Sequence, residues 1–201
     1  MNTFRLMMAV LFHPSDVFYE VKQHNHILAG MWMLLALVVI RFVNIFVTAY
    51  HFRTVDPEQG NLIFELARIL LPGLTFVLAQ YAITTIADGE GFIGQVFVGT
   101  FLAFAPYVVF SLPLAALTNV LSLAEGGVVG WLQLIIYGWV ALLLISMTQT
   151  IHNYDFGRAL TIIGLTVLVM VLVWATIALI YALSDQVVRF VNEVIVELSV
   201  R

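Results

Sequence analysis

ALTIIGLTVLVMVLVWATIALIYALS, residues 159–184, is a run of 26 residues without Asp, Glu, Lys or Arg. A helix of about 20 apolar residues crosses the hydrocarbon core of a bilayer, so this stretch by itself predicts a membrane span. Upstream stand three more charge-free runs, at 69–87, 91–124 and 126–151, and a further run at 27–50 is interrupted only by Arg41. The run at 91–124 is too short for two spans and a turn, and it carries Pro106 and Pro113. It reads as one kinked helix followed by an apolar loop. Five spans result. The composition agrees: of 201 residues, 62% are hydrophobic and 10% charged, against about 45–50% and about 25% in soluble domains. Such a chain is too apolar either to cover a water-exposed globule or to be disordered. Its net charge of −4 argues against nucleic acid as a partner, and with no cysteine it has neither disulfides nor thiolate metal sites.

The ends carry a different pattern. Phe4, Met7, Met8, Leu11 and Phe12 fall at helical spacing, and Val17, Phe18 and Val21 repeat the pattern after Pro14. Residues 1–26 therefore read as amino-terminal helices lying on the membrane surface. At the other end Asp185, Arg189, Glu193, Glu197 and Arg201 recur every fourth residue, opposite Val187, Val188, Val191, Val194, Ile195 and Leu198. That is an amphipathic helix over 185–201. Asp56, Pro57 and Gln59 form a helix-start signature ahead of span two, which predicts an amphipathic lead-in and a bend near Pro72. The expected fold is all-α: a polytopic bundle of five transmembrane helices over 27–184, flanked by amphipathic interfacial helices at both termini.

Few side chains carry chemistry. Arg41, with Asn44 one turn on, is the only charge deep inside a predicted span, and an Arg at a helix centre costs at least ~2.5 kcal/mol on insertion. Either it lines a polar cavity that receives an anionic group, or it snorkels or pairs with Glu65, near Arg68, and fixes helix packing. Gln80 reads as a hydrogen bonder between helices. The histidines, including His13, His24, His26 and His152, match no metal-ligand spacing, so no metal or other cofactor is expected. Nucleophile elbows, phosphate-binding glycine loops and midplane carboxylates are all missing, which points to a protein without enzymatic activity.

The order of these features resembles the Yip family, the Ypt/Rab-interacting membrane proteins, and in particular its short prokaryotic branch. The resemblance rests on Pro14-Ser15-Asp16-Val17-Phe18, on Gly89-Glu90-Gly91-Phe92, on Pro106-Tyr107, and on the stretch from His152 to Arg158 and Ala159. It implies five spans, with the amino terminus cytosolic and the carboxyl terminus opposite. The long polar region of the eukaryotic members is absent, and Ala103-Phe104-Ala105 stands where they show a Gly-Tyr pair. A Rab-type GTPase is therefore not carried over as a partner.

Two functions follow as expectations. One is an accessory or scaffold protein of the plasma membrane that contacts lipid and another membrane protein or transporter complex. The other is a small channel or transporter subunit with a polar pathway at Arg41 and Asn44. A polar cavity reaching Arg41 is the feature that separates them.

Overall fold

The computed structural model describes residues 3–24, 26–53 and 62–200. The helix start expected at Asp56 to Gln59 lies outside the described residues. Eight α-helices follow in order: α1 Thr3–Phe12, α2 Pro14–Gln23, α3 Ile27–Val47, α4 Leu62–Ile86, α5 Ile93–Ala103, α6 Ala105–Leu117, α7 Gly126–His152 and α8 Phe156–Val200. Among the described residues, five stretches are long and apolar enough to cross a membrane: Ile27–Val47, Ile63–Ile86, Ile93–Leu117, Leu123–His152 and Phe156–Phe190. The protein is an all-α, multi-pass membrane protein. Its large exposed side chains, such as Leu35, Leu134, Leu142 and Val171, are apolar and face lipid.

Span three consists of α5 and α6, and Pro106 explains the break between them. Proline has no N–H to give to the Leu102 carbonyl, and its ring crowds that carbonyl. The chain tightens instead, with the Phe104 N–H donating to the Phe101 carbonyl at 3.1 Å, before the helix resumes. Pro113 and Pro72, by contrast, are carried inside α6 and α4.

The core lies between α3, α5 and α7, where Met33, Phe101, Leu102, Met147 and Ile151 are at most 1% exposed. The paired amino-terminal helices close it: α1 touches α3, α5 and α6, while α2 lies along α7 and touches α5. Leu6, Val10 and Leu11 turn inward, whereas Phe4, Met8 and Phe12 are exposed. The buried face of α1 is thus centred on Leu6 and Val10 rather than on Phe4 and Met8. Both sides of this helix are apolar, and helical periodicity cannot tell which of them meets protein.

Helix α8 is one unbroken helix of 45 residues. Ala159, Ile162 and Thr166 bury its first turns against α4 and α7, and from residue 171 to 184 every position is exposed.

Candidate functional site

Polar side chains gather at the two ends of the bundle. At the end where α2 meets α3, two connections are tied together. Lys22 Nζ pairs with Glu90 at 2.7 Å, and Gln95 Nε2 donates to the Lys22 carbonyl at 2.7 Å. The Gly91 N–H donates to His152 Nδ1 at 3.2 Å. Tyr154 Oη donates to the Ala87 carbonyl at 2.9 Å, the same carbonyl that accepts from Arg158 Nη2. The Arg158 guanidinium also lies 4.5 Å from the centre of the Tyr154 ring. Each turn pivots on a left-handed residue, Asp88 with φ 55° and Asn153 with φ 58°. The glycines are needed for space instead. A Cβ on Gly89 would stand 2.6 Å from His152 Nδ1, and one on Gly91 would stand 2.5 Å from Ile151 Cγ2. The Lys22 ammonium holds the Glu90 carboxyl below the usual carboxylate range.

At the opposite end Glu65 is 4% exposed and accepts from two arginines: Arg41 Nε at 3.1 Å and Arg68 Nη1 at 2.8 Å. Beside this cluster α3, α6 and α7 enclose a cavity of about 320 Å³. Arg41, Asn44 and Thr48 form one wall, Tyr107 and Ser111 a second, Gly130 and Gln133 a third, and Arg53 lies at its rim. No Asp or Glu among the described residues lines it. Asn44 Oδ1 and Ser111 Oγ are buried there without a hydrogen-bond partner. Arg53 folds back on the end of α3, donating from Nε to the Thr48 carbonyl at 2.7 Å and from Nη2 to the Phe46 carbonyl at 3.2 Å. One turn further in, Leu37 and Val140 are buried, as are Leu102 and Leu143.

A family model for the Yip1 domain matches residues 8–177. The chain belongs to the Yip1 domain family. Comparison with curated proteins and with solved structures returns no match. In this Yip1 domain the segments that carry the resemblance converge, since Gly89 and Gly91 pack on His152 and Tyr154, which Arg158 covers. Pro14 opens α2, with Asp16 exposed in its first turn, and Pro106 divides span three. Gln80 Nε2 donates to Thr148 Oγ1 at 2.6 Å, a buried bond that ties α4 to α7 away from the cavity. Glu20 groups with His24 and His26 closely enough to hold a metal ion, whereas His152 is engaged by Gly91 instead. Sequence reasoning missed Arg53, Tyr107, Ser111 and Gln133 as a group. Their only signal was a scatter of polar residues within or beside apolar runs, and only the packing of α6 and α7 against α3 brings them together.

Proposed function

We propose that this Yip1-domain protein is a non-enzymatic accessory or scaffold protein of the plasma membrane that engages another membrane protein through α8. The observation that carries the reading is the bare second half of that helix. At 1.5 Å per residue α8 is ~68 Å long, against a hydrocarbon core of about 30 Å. Lipid accounts for the apolar surface at 171–184, but α8 continues past it. Val187, Val188, Phe190 and Ile195 stay exposed at 57–65%. An apolar face carried beyond the bilayer calls for a protein surface.

Truncation after Ser184 tests this. The shortened chain is expected to insert with all five spans, and mass spectrometry after purification in mild detergent should show loss of proteins recovered with the full chain. Undiminished recovery overturns the reading. The cavity at Arg41 favours the second function, a small channel or transporter subunit, to the extent that it is polar and cationic. The buried apolar residues deeper in the bundle, Leu37, Leu102, Val140 and Leu143, offer no polar continuation of a path, which favours a binding pocket over conduction.

A further inference from the structure

The geometry points to the cavity between α3, α6 and α7 as a binding site for a phosphate group. Its volume of about 320 Å³ lies at the lower end of ligand pockets, about 300–1,000 Å³. Two guanidinium groups reach it and no described carboxylate lines it, so it selects an anion. Arg53 uses two of its N–H groups on backbone carbonyls, which fixes the guanidinium while leaving donors over, since an arginine has five. Arg41, whose Nε donates to Glu65, lines the cavity beside Tyr107.

One buried donor makes the site more than a cationic surface. Ser111 is 7% exposed and lines the cavity, and its Oγ–H, which lacks a partner, can donate to a phosphate oxygen. An orphaned buried polar atom is costly, and a ligand that bonds to it removes that cost. The geometry of the donors then selects among anions. A carboxylate is planar and satisfied by a single arginine fork. Here donors come from α3, α6 and the segment after α3, which suits a tetrahedral group presenting several oxygens. The cavity also sits at the end of a membrane-spanning bundle, beside the layer in which lipid phosphates lie. An anionic phospholipid headgroup and free phosphate share this chemistry.

Gly130 supplies the control. It lies on the cavity wall, and a Cβ built there meets nothing within 4 Å. Gly130→Leu thus adds a bulky side chain at the cavity wall while improving helix propensity, and it leaves every arginine in place. Arg53→Gln removes one charge.

The full chain, purified in dodecyl maltoside, would be titrated with dioleoylphosphatidylglycerol, with dioleoylphosphatidylcholine and with inorganic phosphate, reading the thermal unfolding midpoint. For the wild type, the proposal expects phosphatidylglycerol to raise the midpoint by ~5 °C near a hundredfold excess over Kd, and the zwitterionic lipid to do much less. Gly130→Leu and Arg53→Gln should lose that shift, with Gly130→Leu unfolding at or above the wild-type midpoint when no ligand is added. If inorganic phosphate gives a shift that both variants lose, the site takes free phosphate. If only phosphatidylglycerol does, the ligand is a lipid headgroup. Equal shifts from both lipids, shifts that persist in both variants, or no shift with any of the three additives overturn the proposal. Partner recovery through α8 is a separate readout, so either reading can fail alone.

Discussion

Glu65 is shared between two arginines, and this sharing makes the partners unequal. Removing Arg41 leaves the carboxylate with Arg68 at 2.8 Å, whereas removing Glu65 leaves two guanidinium groups facing each other with nothing between them. Breaking a buried pair from the side that strands a charge costs about 3–5 kcal/mol. The Arg68 side chain is 57% exposed and can turn to water, which lowers that figure to about 2–3 kcal/mol. Glu65→Gln should therefore lower the unfolding midpoint in detergent more than Arg41→Leu; the reverse order would contradict the sharing of Glu65 between the two arginines. A second residue-scale expectation concerns pH. Glu90 has a lowered pKa because of Lys22, so the stability it adds is full above the ordinary carboxylate range and is lost as pH falls through the lowered value. Comparison of wild type with Lys22→Gln should show a stability difference that is flat from neutral pH to mildly acid pH and closes only in stronger acid. The Arg41–Glu65 pairing was legible in the sequence because an intramembrane charge needs a partner. The Lys22–Glu90 pair was not, because Lys22 lies in the last turn of α2 and Glu90 in a connection, both outside the spans, where a charge needs no explanation.

At the scale of elements, the five spans could be read by counting uncharged residues, because the bilayer sets one length for all of them. The break in span three followed from Pro106. Two features resisted. The buried side of α1 could not be chosen, since lipid and protein both accept apolar faces. The charge stripe from Asp185 suggested a separate terminal helix, yet nothing in the sequence there breaks a helix, and α8 continues through it. The glycines divide by their surroundings in a way the sequence does not show. Gly91→Ala places a Cβ 2.5 Å from Ile151 Cγ2 and 2.7 Å from His152 Cε1, so the knot of connections must shift. A loss of about 1–3 kcal/mol is expected. Gly164→Ala, in α8 with nothing within 4 Å of the added Cβ, should instead gain about 0.8–1 kcal/mol from helix propensity. Thermal unfolding of the two variants in one detergent checks both signs.

For the whole molecule, five spans would put the two ends of the chain on opposite sides, and we propose that the amino terminus is the cytosolic one. Positive charge does not decide the orientation. In the expected orientation Arg5, Lys22 and Arg158 fall on the cytosolic side and Arg53, Arg189 and Arg201 on the other, a tie before interfacial Arg68 is placed. The structure adds a mechanical argument for the carboxyl terminus. Helix α8 starts beside the Tyr154 and Ala87 contacts at the first end and runs unbroken for 45 residues. At ~68 Å it is too long to finish inside a core of about 30 Å, and it has no turn by which to come back. Its last turns must therefore emerge on the side of the cavity. Reporter fusions truncated after Glu90 and at Arg201 are expected to read cytosolic and non-cytosolic respectively. The inverted result would keep five spans and reverse the protein in the membrane, placing the cationic cavity at the cytosolic leaflet. The same location for both fusions would contradict five crossings, because Glu90 follows two spans and Arg201 follows three more.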